Sequence, residues 1–198
     1  MKVILIRHLK TPGNELRQYI GSTDENLSAG AVQHFLTRKA CYPAAQRIVA
    51  SPMKRCIQTA RLIYPDQEIE TEGMLKECDF GRFEGKTYEQ LKEEPAYIRW
   101  LESGGRTAFP DGEEQETFRR RCADGVKKWV LKLLEEGTQS AAFVVHGGTI
   151  MAALSQLGEE PGDFYRWQVE NGAGYEAEAV MEEWKAGRTV LREIRQIG

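Results

Sequence analysis

The segment KVILIRH, residues 2–8, is apolar from Val3 to Ile6 and then changes abruptly to Arg7 and His8. A strand with one wet face alternates apolar and polar side chains. A strand without alternation must be covered on both faces, the environment of a mostly parallel sheet between two helical layers. A second run of the same kind, AAFVVH at residues 141–146, also ends in a histidine, and the chain has only three. Two histidines therefore stand where a buried strand stops.

The rest of the chain alternates between strand and helix patterns. RIVAS at 47–51 and EIET near residue 70 read as short strands, and GYEAEAV and RTVLREI read as a final, adjacent pair. Ser28 caps a helix whose Val32, Phe35 and Leu36 form its apolar stripe, with His34 on the solvated side. Ser51-Pro52 reads as a cap followed by proline at the first helical position, opening the helix MKRCIQTARLIY. Asp111 and Glu114 have the spacing of an acidic capping box before a long amphipathic helix through Phe118, Cys122, Val126, Trp129 and Leu133, stopped by Gly137. Gly147-Gly148 reads as a turn and TIMAALSQL as the last long helix. The alternation predicts an α/β fold, a three-layer α/β/α sandwich around a mostly parallel sheet. In such sheets ligands bind beyond the carboxyl ends of the strands, where His8 and His146 fall.

A chain of 198 residues suits one core, so residues 1–198 are expected to form a single domain with a helical excursion at about 82–117, where the sequence turns polar and rich in Gly and Pro. The net charge of −3 gives no broad basis for binding nucleic acid, so any anion site must be local. The first apolar run is too short for a signal-peptide core or a membrane span; a cytoplasmic protein with no membrane partner is expected. Cys41, Cys56, Cys78 and Cys122 include no CxxC pair and read as small buried hydrophobes. A P-loop and an HExxH motif are both missing, and Gly172-Ala173-Gly174 precedes a strand instead of following one.

An arginine beside a strand-end histidine, a second strand-end histidine followed by glycines, and Arg55 one turn into a helix that starts at another strand end together describe an anion pocket. Phosphate is the obvious anion. A proton donor for a departing alkoxide is available in LKECDFGRFEG, where Glu77, Asp79 and Glu84 are equal candidates.

LIRHLKTPGN, SPMKRCIQTA, LKECDFGRFEG and VVHGGTI occur in the order and at roughly the spacing of the histidine phosphatase superfamily, the phosphoglycerate mutase-like fold. RQYIGSTDENL, FGRFEGKTYEQL and FPDGEE resemble most the α-ribazole phosphatase branch of cobalamin biosynthesis. The resemblance implies that His8 is the nucleophile that becomes phosphorylated, that Arg7, Arg55 and His146 form the phosphate pocket, and that Glu77 is the general acid. It further implies that Asn14 and Gly21 contact phosphate or substrate and that Gly147 offers a backbone contact. Leu9 replaces the glycine of the family's Arg-His-Gly motif; an ordinary backbone conformation at Leu9 is expected, with its side chain shaping the pocket wall.

The implied chemistry is a metal-independent, cofactor-free displacement on a small phosphomonoester. Neutral His8 attacks phosphorus, protonated His146 and the two arginines hold the oxygens, and Glu77, kept protonated by anionic surroundings, protonates the leaving group. Tyr88, Tyr97, Trp100 and Phe109 either stack on an aromatic substrate or hold the excursion to the sheet. The competing readings are a broad-specificity phosphatase, a phosphoglycerate mutase-like enzyme, and a non-catalytic protein that binds a phospho-ligand.

Overall fold

The structure, a computed structural model, describes residues 1–38, 42–160 and 162–198. The strands are β1 (Lys2–Arg7), β2 (Arg47–Ala50), β3 (Ile69–Thr71), β4 (Ser140–Val145), β5 (Gly174–Ala179) and β6 (Leu191–Ile197). The helices are α1 (Pro12–Glu15), α2 (Ala29–Thr37), α3 (Lys54–Ile63), α4 (Tyr88–Leu91), α5 (Pro95–Glu102), α6 (Gln115–Glu135), α7 (Gly147–Leu157) and α8 (Met181–Lys185). One sheet has the order β3-β2-β4-β1-β5-β6. β1, β2, β3 and β4 pair in parallel, and β5 runs antiparallel to both β1 and β6.

The pleat of β1 explains its unbroken apolar run. Val3 and Leu5 join a core built with α6 and α7, whereas Ile4 and Ile6 join a second core beneath α3. β4 divides in the same way, Phe143 and Val145 on the first face and Ala142 and Val144 on the second. The three layers follow from this double burial. It also carries the carboxyl ends of β1, β2 and β4 to one edge, with α3 and α7 starting just beyond it.

Several local expectations give way to tertiary context. α2 buries no residue, and Leu36 is 64% exposed, so the proposed stripe is only half covered. Ser28 does cap it, accepting from Ala31 N at 3.0 Å, and His34 is exposed. Met53, not Ser51, is the N-cap of α3, and Pro52 lies outside the helix, because the Ser51 hydroxyl is engaged elsewhere. Glu114 caps α6 by accepting from Thr117 N, while Asp111 takes a left-handed turn conformation at φ 58° that no capping box allows. Gly147 and Gly148 form the first turn of α7 instead of preceding it. β6 begins three residues later than RTVLREI suggests, since α8 and the turn after it, pinned by Trp184 Nε1 donating to Val190 O, consume Arg188–Val190.

Between Gly81 and Glu114, α4 and α5 dock on α6 through Phe83, Leu91, Tyr97 and Phe109, which share a third core with Phe118 and Cys122. Cys56, Cys78 and Cys122 are free and buried, as expected; Cys41 lies outside the described residues. Among the described residues no helix is long and apolar enough to cross a membrane. Leu5 is completely buried at the centre of the sheet, so Leu5→Ala should lower the free energy of unfolding by about 2–5 kcal/mol in urea titrations. A loss under about 1 kcal/mol would contradict the packing described.

Candidate active site

β1 and β4 are neighbours, and His8 N donates to Val145 O at 2.9 Å, so the register that pairs Arg7 with Val145 sets His8 beside His146. Their ring centroids are 5.2 Å apart with planes at 70°. The two rings are in edge-to-face contact at the carboxyl edge of the sheet.

Each imidazole has its tautomer fixed by its neighbours. His8 Nδ1 lies 2.7 Å from Leu9 O, and a carbonyl can only accept, so Nδ1 carries the proton and Nε2 keeps its lone pair. Burial, reinforced by Arg55, pulls the His8 pKa down to about 3. The ring is neutral at physiological pH, as a nucleophile must be. His146 Nδ1 accepts from Arg55 Nε at 3.3 Å, leaving Nε2–H to meet Ser51 Oγ at 2.8 Å. Burial and then the Arg55 charge hold its pKa well below the ordinary range. With Nδ1 accepting from Arg55 and the pKa lowered, this arrangement favours a neutral His146, where a protonated one holding the phosphate was expected. The positive charge resides on the arginines.

Arg55 is completely buried, and its protein partners are Gly21 O at 2.8 Å, Thr23 O at 2.7 Å and His146 Nδ1, none of them an anion. Arg7 donates from Nη1 to Val169 O at 2.7 Å, and its buried Nε has no partner. Two guanidinium groups with donors to spare at one strand edge favour a dianion there. Glu77 reaches the same place. Its oxygens accept from Cys78 N at 2.9 Å and Gly148 N at 3.0 Å. Burial nevertheless raises its pKa, against the lowering effect of those two N–H groups and of Arg55 and Arg7. Desolvation, not the anionic surroundings expected, is what favours the protonated acid.

Arg7, Glu77, Gly147 and Gly148 lie on the polar side of a cleft of about 650 Å³. His8 is only 4% exposed and His146 and Arg55 not at all, and none of the three lines the cleft. Tyr19, Phe80, Trp100, Phe118, Phe164 and Tyr165 make the apolar walls, and Glu170 lies on the lining as well. Of the four aromatic residues singled out in the sequence, Trp100 and Phe109 line the cleft, Tyr97 is buried core and Tyr88 is exposed outside it. Among the described residues, no group of three or more His, Cys, Asp or Glu side chains is arranged to hold a metal ion.

Two expected contacts are engaged within the protein. Asn14 Oδ1 accepts from Thr11 N in the capping box that opens α1. Gly21 N donates to Glu84 and Gly21 O accepts from Arg55, so Gly21 supports the arginine instead of offering its own N–H. Leu9 is absent from the residues with positive φ, as expected, but its side chain lines a separate cavity of about 550 Å³ and not the cleft. Leu9 N instead donates to Thr59 Oγ1 at 3.0 Å, which steadies the carbonyl that sets the His8 tautomer. Ser51 and Gly148 escaped the sequence reading. The Ser-Pro at a strand end signalled Ser51, and the second glycine of HGG signalled Gly148.

A Cβ on Gly148 would stand 2.3 Å from Glu77 Oε1 and 2.8 Å from Phe118 Cζ. Gly148→Ala overpacks this contact and should lower the thermal midpoint by a few degrees. It should lower kcat/KM for an alkyl phosphomonoester at least ~10-fold by displacing the carboxyl. Undiminished turnover in a steady-state assay would show that Glu77 need not sit where Gly148 admits it.

Known proteins resemble this chain at two levels, sequence and fold. A broad-specificity phosphatase of Saccharomyces cerevisiae is 28% identical over 169 residues, covering 79% of this chain and 70% of its own. Phosphoserine phosphatase 1 of Hydrogenobacter thermophilus is 25% identical over 181 residues, 87% of this chain and 84% of its own. The crystal structure of the α-ribazole phosphatase from Shigella flexneri superposes with a TM-score of 0.80 over 100% of this chain and 96% of its own; at 20% identity that likeness shows the shared fold. The family profile described as "Histidine phosphatase superfamily (branch 1)" spans residues 3–191, and the chain belongs to that superfamily.

Proposed function

We propose that the chain hydrolyses small phosphomonoesters through a phosphohistidine at His8, and that its substrate is α-ribazole 5′-phosphate. The observation that carries the reaction is the completely buried Arg55, hydrogen-bonded only to carbonyls and an imidazole, with the partly buried Arg7 and two buried imidazoles beside it. Arg7 and Arg55 bind the phosphoryl oxygens and offset the charge that gathers on them in the transition state. The lone pair of His8 Nε2 forms the N–P bond while the ester P–O bond breaks. Its electron pair goes to the alkoxide oxygen, which takes the proton of Glu77. Water then attacks phosphorus and gives a proton to the Glu77 carboxylate. The N–P bond breaks with its electrons returning to Nε2, and inorganic phosphate leaves. His146 steadies the pocket through Arg55 and Ser51.

Two features of the cleft support the narrower substrate. Its aromatic walls favour a flat apolar group on the alcohol, as a benzimidazole riboside would present. The Glu170 carboxylate on the lining disfavours a second anion such as the carboxylate of phosphoglycerate, which counts against the mutase-like reading. The yeast relative's breadth favours the alternative of a phosphatase with many substrates. Cytoplasmic placement belongs with this reading.

Three outcomes follow. Glu77→Gln should slow alkyl phosphates about 10²–10⁴-fold while sparing p-nitrophenyl phosphate, whose phenolate leaves without a proton. Equal loss on both substrates would remove Glu77 as the acid. The free-enzyme profile, kcat/KM against pH, should rise through about pH 3 as His8 loses its proton. It should fall again as pH passes the raised pKa of Glu77, and Glu77→Gln should abolish only that upper limb for alkyl esters. In parallel assays kcat/KM for α-ribazole 5′-phosphate should exceed that for 3-phosphoglycerate, and Glu170→Gln should narrow the gap; equal values would leave the broad reading.

A further inference from the structure

The Glu84 carboxylate takes no part in the scheme above and does not line the cleft, yet it is saturated with hydrogen bonds. It accepts from Gly21 N at 3.0 and 3.2 Å, Ser22 N at 2.8 Å, Thr23 Oγ1 at 2.8 Å and Phe80 N at 3.2 Å. The carbonyls of the same short turn serve Arg55: Nη2 donates to Gly21 O at 2.8 Å and Nη1 to Thr23 O at 2.7 Å. The turn 21–23 is a two-faced bridge, its N–H groups on a carboxylate and its C=O groups on a guanidinium.

That arrangement is electrostatically coherent. Negative charge at the N–H end of a peptide unit and positive charge at the carbonyl end both align with its dipole, and each bond strengthens the next. Space is also fully used. A Cβ at Gly21 would fall 1.8 Å from Cys78 O and 2.7 Å from Glu84 Oε1, so only glycine lets the turn lie against the carboxylate. Asp79 secures the same contact from the other loop, accepting from Ser22 Oγ at 3.3 Å and Gly81 N at 2.8 Å.

We propose that Glu84 is a positioning residue that holds the Arg55 guanidinium in its phosphate-binding orientation through the turn 21–23. The proposal rests on Arg55 serving the phosphate pocket. Loss of the carboxylate leaves the N–H groups of the turn without their acceptor and lets the carbonyls drift. Paired hydrogen bonds from a guanidinium tolerate little drift, and a misplacement of about 1 Å costs on the order of 100-fold.

A double-mutant cycle of Glu84→Gln with Arg55→Lys tests this, read both as kcat/KM for p-nitrophenyl phosphate and as the Kd of inorganic phosphate by calorimetry. Glu84→Gln alone should weaken both by ~10-fold or more, while in the Arg55→Lys background it should cost less than ~3-fold further. The thermal midpoint should fall by no more than about 2–4 °C. The same loss factor in both backgrounds would overturn the proposal, and so would unchanged binding and turnover. If Glu84→Gln does not fold, Glu84→Asp, which keeps the charge but shortens its reach, runs the same cycle under the same two criteria. A wild-type protein that binds phosphate without hydrolysing esters would overturn the enzymatic reading and leave the binding cycle decisive for Glu84.

Discussion

Arg55 holds a full positive charge where no solvent reaches, among carbonyl oxygens and one imidazole nitrogen. Desolvating such a group is costly unless hydrogen bonds and an opposite charge compensate, and the protein supplies the hydrogen bonds without the charge. Much of the surrounding structure answers to that imbalance. Burial first, and the arginine's charge second, lower the proton affinity of both His146 and His8.

Helix α3 links this charge to the other half of the site. The Thr59 hydroxyl, one turn beyond Arg55, donates to Arg55 O at 2.7 Å and accepts from Leu9 N, while Leu9 O fixes the proton of His8 on Nδ1. One helix therefore positions the cation and, through two backbone groups, the lone pair on the opposing imidazole. Leu9 in place of glycine needs no positive φ here, and the contacts use its backbone. On the other side, α7 begins early enough for Gly148 N to reach Glu77, where burial outweighs two N–H donors and two arginines in setting the carboxyl's affinity for protons.

What was legible in the sequence is what depends on local pattern. The unbroken apolar runs of β1 and β4 announced double burial, and with it the strand ends where His8 and His146 converge. The charge on His146 was not legible, since it is set by burial and by a guanidinium 91 residues away in the chain. Ser51 fits a helix-cap pattern equally well until the imidazole beside it is known. Asp111 satisfies a capping spacing but is turned out of helical geometry by the loop that packs against Gly81, whose own Cβ would meet Pro110 O at 2.2 Å. The three carboxylates of LKECDFGRFEG look alike as residues and differ only in what surrounds them. Glu77 meets the helix α7 N-terminus, Asp79 a serine hydroxyl and Glu84 a turn.

The account requires that the lone pair fixed on His8 Nε2 be the atom that takes the phosphoryl group. Rapid quenching into alkali during turnover of a ³²P-labelled monoester, followed by peptide mapping, measures this directly. Acid-labile, alkali-stable label on the peptide that contains His8, substituted at the nitrogen remote from Leu9, is the predicted result. Label on any other side chain, or a single-step displacement that leaves the protein unlabelled and inverts configuration at phosphorus, would contradict it.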